Sequence, residues 1–291
     1  MSRRPGGEGV RGSWASALLL LTSAVVLLPR ALPAQAPEEC GTIGKIPDPM
    51  PARLPSRVGF SPGEQLEFSV QYGLVTAGRA TMAIDPTIRM REGRPTYHCV
   101  TTARSSKMFS TVFEVNDRVE SFLDTLHLRS VRFEKHLREG KYNRDLWVVF
   151  DQERHVASID GKRECQVLEN VQDVLSSFYY VRTLDLAVGQ SIYIPNHDNG
   201  KNYAMEVKVH RRERITVDAG TFDCLVLEPM LLGEAVFKQK GRLEVWITDD
   251  AVRMPVLMKS QVLVGAIAAV LDDFRLGAGG TVPPAMVSTT R

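Results

Sequence analysis

The chain is poor in the features that mark most enzymes and most nucleic-acid binders. Its four cysteines, Cys40, Cys99, Cys165 and Cys224, lie far apart, so the C-x-x-C spacing of zinc and redox sites is missing. There is no G-x-S-x-G elbow, no H-E-x-x-H helix, no phosphate loop and no G-x-G-x-x-G turn. The six histidines are scattered over polar strand positions and turns and read as solvated surface. The pairs Asp249-Asp250 and Asp272-Asp273 suit turns or caps better than a cation site, because neighbours in a strand point to opposite faces. No cofactor is called for, and a non-catalytic protein is the expectation. The charge is nearly balanced, at +2, which argues against a nucleic-acid partner, and the sequence carries no basic block of the kind expected of an anionic-membrane binder.

What is present begins with the amino terminus. Arg3, Arg4 and Arg11 precede an apolar run from Trp14 to Leu28, followed by Pro29 and Ala34-Gln35-Ala36. This is the plan of a secretory signal peptide over 1–36, cut after Ala36, and it predicts a periplasmic or otherwise exported protein. The run is shorter than the ~20 apolar residues of a membrane-spanning helix. Cys40 follows Pro37-Glu38-Glu39 rather than a small-residue box, so lipidation is not expected. Removing four arginines and Glu8 takes the net charge from +2 to about −1. An oxidising compartment allows one disulfide, or two with three possible connectivities. Cys99 and Cys224 fall in apolar strands and read equally well as buried thiols.

Residues 37–57, with Pro47, Pro49 and Pro51 at every second position, predict an extended, poorly packed lead-in. Residues 277–291 have no periodic pattern and predict a frayed tail, leaving 58–276 as a single β-rich domain. Inside it, about a dozen alternating runs separated by turn residues mark an all-β sheet. "EQLEFSVQY" and "AGRATMAID" form a first hairpin bracketed by Gly73 and Gly78. A half-buried strand follows the turn "HDNG", and "FDCLVLE" and "GRLEVWITDD" are two more. "VLVGAIAAVL" reads as a strand buried on both faces, with a bulge at Gly265.

One segment breaks this pattern. "QDVLSSFYYVRTL", residues 172–184, reads as a helix capped by Asp173 and apolar almost all round, so it must be surrounded. The fold expected is mainly β: a curved antiparallel sheet or open barrel wrapped around one central helix. A helix wedged between two sheets fits the pattern equally.

Three consecutive strands place charges on the apolar face. Asp117 shares the parity of Phe113, Val115, Val119 and Leu123, and Lys135 that of Val131, Phe133 and Leu137. A short loop near 125–127 would set Asp117 directly opposite Lys135. Gly140 suits a two-residue hairpin that puts Arg144 opposite Leu137 and adds a third charge, and Arg182 on the helix could be a fourth. A buried charge persists when paired, so a structural role comes first. The functional reading is that Asp117, Lys135, Arg144, Tyr179 and Arg182 line a concave site with surplus positive charge, suited to an anionic head on an apolar body.

"FSPGEQLEFSVQYGLVTAGRATM", "NDRVESFLD", "FEKHLREGKY", "DVLSSFYYVRTL", "VDAGTFDCLVLEP" and "GRLEVWITDDAVRMPV" resemble the bacterial exported family catalogued as domain of unknown function 3108 (DUF3108). The resemblance covers roughly 60–271 and is carried by residues including Asp117, Lys135, Asp173, Arg182 and Asp249. It implies an envelope protein without established activity. At fold level the plan is similar to the periplasmic lipoprotein carriers of the LolA/LolB type. The expectation is an envelope protein holding a lipid or acyl-chain ligand in a β cup. The alternatives are a scaffold for another envelope protein, and a hydrolase using Asp117 with Lys135, for which no nucleophile is visible.

Overall fold

Period-two alternation of apolar and polar residues is what builds this molecule, and the strands follow it closely. The computed structural model describes residues 40–48, 58–231, 242–261 and 266–278. In chain order the strands are β1 (Gly41–Thr42), β2 (Gln65–Tyr72), β3 (Val75–Ile84), β4 (Arg89–Arg91) and β5 (Arg94–Ser105), then the short helix α1 (Lys107–Ser110). Next come β6 (Asn116–Asp124), β7 (Ser130–Glu139), β8 (Tyr142–Asp151), β9 (Val156–Ile159) and β10 (Arg163–Gln166), then helix α2 (Val174–Val181). The chain continues with β11 (Ser191–Asp198), β12 (Lys201–Val217), β13 (Gly220–Leu231), β14 (Leu243–Thr248), β15 (Pro255–Gln261) and β16 (Ala266–Arg275).

All sixteen belong to one sheet that runs β12-β13-β14-β15-β16-β2-β3-β5-β6-β7-β8-β9-β10, with β11 on the other edge of β12 and β4 beside β5. The count exceeds the dozen expected because β1, β4, β9 and β10 are too short to show a period. Every pairing between strands is antiparallel except β1 with β12. The sheet is a nearly closed barrel. Its two ends meet at a seam where Cys40 and Cys165 form a disulfide and Asn202 Nδ2 donates to the Gln166 carbonyl at 2.8 Å. Gln172, just past β10, bridges to Asn196 of β11 in parallel. The lead-in is therefore not loose at its start, since Cys40 is covalently fixed and Gly41–Thr42 are paired with β12. Cys99 and Cys224 are free, buried thiols. The proposed signal segment 1–36 and Gly265 lie outside the described residues.

Turn chemistry sets the register where it is clean. Asn199 (φ 50°) and Gly200 (φ 81°) give the two left-handed residues that a tight β11–β12 hairpin requires. Gly78 does not bracket the first hairpin but sits within β3, beside a bulge at Val70/Gln71. A Cβ there would collide with the Arg104 carbonyl, so glycine is needed for the close approach of β3 to β5. β16 alternates buried and half-buried residues rather than being buried on both faces, because only one face looks into the core.

Helix α2 is short and buried, with Leu175, Ser176, Ser177, Phe178, Tyr179 and Val181 all inside. It packs against β6 and β11. Asp173 is its N-cap, as expected, accepting from the amides of Leu175 and Ser176, both at 2.8 Å, while Ser176 Oγ reaches back to the Asp173 amide. Among the described residues no helix is long and apolar enough to cross a membrane.

Candidate functional site

The charges expected on the inner face are there, but their partners differ from the pairing anticipated. A bulge between Phe122 and Leu123 moves the β6–β7 register, so Lys135 lies opposite Val119 and Arg118 opposite His136. Asp117 therefore does not face Lys135. Lys135, 2 % exposed, pairs instead with Asp198 at 2.5 Å, at the buried tip of the β11–β12 hairpin, where Asn199 Nδ2 also donates to Asp198. Tyr179 is fully buried and meets Phe60 edge-on at 5.2 Å. Arg182, 1 % exposed, makes a two-pronged bond to Glu64 at 2.7 and 2.8 Å and reaches the Gly59 and Val252 carbonyls. Burial works against its charged form, but Glu64 more than offsets this. Asp173 accepts the hydroxyls of Ser121 and Ser130 at 2.6 and 2.5 Å beside its two cap bonds. Burial lifts its carboxyl above the ordinary range against the pull of those donors. So α2 is anchored to the barrel at both ends by charged groups. Lys135, Tyr179 and Arg182 serve this framework, and each is shielded from solvent.

Asp117 and Arg144 lie elsewhere, toward the end of the barrel that carries α1. Asp117 accepts the Arg138 amide at 2.7 Å and lies against Glu139. Burial raises Asp117 to about 6, and burial together with the charge of Asp117 raises Glu139 to about 7. Two adjacent carboxyls with one stabilised proton between them behave as a coupled pair. Arg144 stands opposite Leu137, as the Gly140 turn predicts, and is half-buried.

This end is assembled from the 106–115 segment, the Gly140 turn and the β2–β3 turn. The 106–115 segment crosses over β3 and β5, with the Ser106 amide donating to the Ala77 carbonyl and Ser106 capping α1. The Gly140 amide donates to the Glu114 carbonyl, and the Phe113 ring lies over Gly140. Beneath the segment is an apolar pocket lined by Val70, Ala77, Ala103, Phe109, Phe113 and Val115, with Gly78 and Ser105, and edged by Arg79 and Arg104. Arg79 and Arg104 are direct register partners on neighbouring strands. Arg104 bonds only the Asn116 amide oxygen, and neither arginine has a carboxylate partner among the described residues. Sequence reasoning did not find this pocket; the Arg79 and Arg104 parities were legible, but their pairing requires the β3–β5 register.

The outer face offers a different chemistry. Glu120, Glu134 and His136 bring ligand-type atoms within 4.8 Å of one another. Arg118 already holds Glu120 at 2.6 Å, His98 bonds it at 2.6 Å, and Arg132 holds Glu134 at 2.6 Å. These carboxylates are neutralised by cations, which disfavours a metal there. The histidines are not uniformly solvated either: His197 is 1 % exposed and held below its ordinary pKa by burial, and His98 stacks on Phe122 at 4.3 Å. Asp250 serves as a turn cap, accepting the amides of Val252 and Arg253.

The fold defines a barrel-like protein. The chain belongs to the family described as protein of unknown function (DUF3108), which matches residues 67–272. Among solved structures it is similar to a beta-barrel-like protein of the domain of unknown function DUF1849 from Brucella abortus, at 9 % identity and a TM-score of 0.55, covering 75 % of this chain and 99 % of that one. It also matches a DUF1089 family protein from Pseudomonas aeruginosa at 12 % identity and a TM-score of 0.34, covering 68 % and 90 %. Comparison with the curated proteins gives no match. The Brucella likeness supports the barrel and nothing finer.

Proposed function

We propose that this is a non-catalytic exported protein of the cell envelope that binds an apolar or lipid-like molecule with an anionic head group at the α1 end of the barrel. The observation that carries the reading is an apolar pocket edged by two neighbouring arginines that have no carboxylate partner among the described residues. The pocket is lined by other residues than Tyr179 and the Arg182–Glu64 pair, which are buried beside α2. Its cavity volume is about 30 Å³, room for only a water or two. An acyl chain therefore enters by displacing Phe109 or Phe113, both half-buried rings on the segment that covers the pocket. Lys135 and Arg182 support the site as framework, and Arg144 adds charge to its rim. Cleavage after Ala36 and residence outside the cytoplasm belong to the same proposal.

Native mass spectrometry of protein purified from its own envelope tests it. A co-purifying anionic amphiphile, lost in Arg79→Ala/Arg104→Ala while the fold persists, is the expected result. An Arg79→Ala/Arg104→Ala protein carrying the same ligand as the parent refutes it. The second reading, a scaffold for another envelope protein, is favoured by the burial of Tyr179 and Phe178, and it gains if no ligand is carried.

A further inference from the structure

The α1 end differs from the rest of the surface in how its charge is arranged. Elsewhere most exposed arginines meet carboxylates, as Arg89 does Asp85, Arg118 Glu120 and Arg212 Asp249, and the exceptions, Arg91 and Arg275, lie on different strands, β4 and β16. At this end Arg79, Arg104, Lys107, Lys141 and Arg144 have no ion-pair partner among the described residues, while of the nearby carboxylates Glu114 is exposed, Glu139 is half-buried against Asp117 and Asp145 is paired with Arg138. Like charges directly opposite each other, as Arg79 and Arg104 are, cost stability unless an anion lies between them.

The same end exposes three large apolar side chains, although Leu126 and Met90, away from it, are exposed to a similar degree. Leu74, at the tip of the β2–β3 turn, is fully exposed (103 %), Val112 is 80 % exposed and Met108 63 %. The turn and the α1 segment are neighbours, because Ser106 bonds Ala77 and α1 packs on β3 and β5. Lys141 is brought to the same rim by the contact of Gly140 with Phe113. Apolar tips interleaved with unpaired cations are the composition of a surface that lies in the interface of an anionic bilayer. A second copy of this chain is a poor occupant, since a self-facing contact would set five cations against five.

We propose that the α1 end docks on an anionic phospholipid surface, Leu74, Met108 and Val112 sinking into the headgroup boundary while Arg79, Arg104, Lys107, Lys141 and Arg144 meet phosphates. This rests on the reading of the same end as a lipid-binding site and names where the ligand comes from. The pocket beneath the 106–115 segment then faces the bilayer.

Co-sedimentation of the mature chain with vesicles of phosphatidylglycerol or of phosphatidylcholine tests it, at low and high salt. Binding to the anionic vesicles alone, weakened by salt, is expected. Lys107→Gln/Lys141→Gln should bind about thirtyfold more weakly, from the attraction typical of two basic side chains near such a surface. Leu74→Ser/Met108→Ser/Val112→Ser, all at exposed positions and checked for an unchanged unfolding midpoint, should also lose binding. No binding to anionic vesicles, equal binding to both lipids, or parent-like binding by both variants overturns the docking. If the apolar variant changes only the mass of the protein in solution, the patch joins copies and the proposal is wrong. Docking without any ligand in native mass spectra leaves this inference standing and removes the bound-ligand reading; a carried ligand without vesicle binding does the reverse.

Discussion

Raising the pH from 5 to 8 should destabilise this protein through one pair of side chains. Asp117 and Glu139 have their pKa values raised, to about 6 and about 7, from ordinary values of 3.8 and 4.5. For an acid whose folded pKa is raised, the folded state holds the proton more tightly than the unfolded chain does. Its contribution is fully present below the unfolded value and is lost as pH rises through the folded one. Each shift exceeds two units, and at about 1.4 kcal/mol per unit the pair sets an upper bound of about 6 kcal/mol. The two carboxyls share a proton, Arg138 donates its amide to one of them, and Glu139 is partly solvated, so about 2–3 kcal/mol is the realistic loss. Asp117→Asn keeps an acceptor for the Arg138 amide and removes the second negative charge. It should recover about 2 kcal/mol at pH 8, or several degrees of Tm for a chain of this size. His197, held neutral by burial, works in the opposite sense below its ordinary pKa of 6.5, so the decisive quantity is the difference between parent and variant. Urea unfolding of both at pH 5 and pH 8 measures it. A variant as pH-dependent as the parent, or less stable than it at pH 8, would refute the reasoning.

Further expectations concern the framework and the thiols. Asp173→Ala removes the α2 cap and leaves the buried hydroxyls of Ser121 and Ser130 without their acceptor, which should cost about 3 kcal/mol in equilibrium unfolding. Arg182→Met strands Glu64 in the core at a cost of about 3–5 kcal/mol, and adding Glu64→Gln should recover part of it; a double variant no better than the single one would contradict the pairing. Replacing Cys40 and Cys165 by serine should lower stability by about 2–4 kcal/mol, read from urea midpoints. Cys99 and Cys224 should resist a thiol reagent until the protein unfolds, since both are buried and burial pushes the Cys224 thiol up to about 12.

How much of this was legible depended on whether local chemistry or a distant pairing decided each feature. The α2 cap was legible because Asp173 and the apolar positions after it act within one turn of chain. The β7–β8 register was legible because Gly140, at φ 57°, fixes a two-residue turn. The β6–β7 register was not. Its connection contains Leu128 in a left-handed conformation and a bulge at Phe122/Leu123, and these carry Lys135 away from Asp117. That Asp117 and Lys135 would be buried followed from parity alone. Their partners, Glu139 and Asp198, follow from how the strands and the β11 hairpin come together. The α1 end was invisible for the same reason: four helical residues carry no period, and Arg79 becomes a neighbour of Arg104 only once β3 lies on β5.

The staple between Cys40 and Cys165 spans 125 positions of sequence. A polypeptide delivered amino terminus first presents one thiol early and must wait for its mate until ten strands have emerged. Cys40 is placed by the pairing of β1 with β12, which follows Cys165 in the chain, so the two thiols meet in their final arrangement only after β12 has formed. The sulfur link therefore acts as a late fastener, and its closing marks a molecule whose two sheet ends have met.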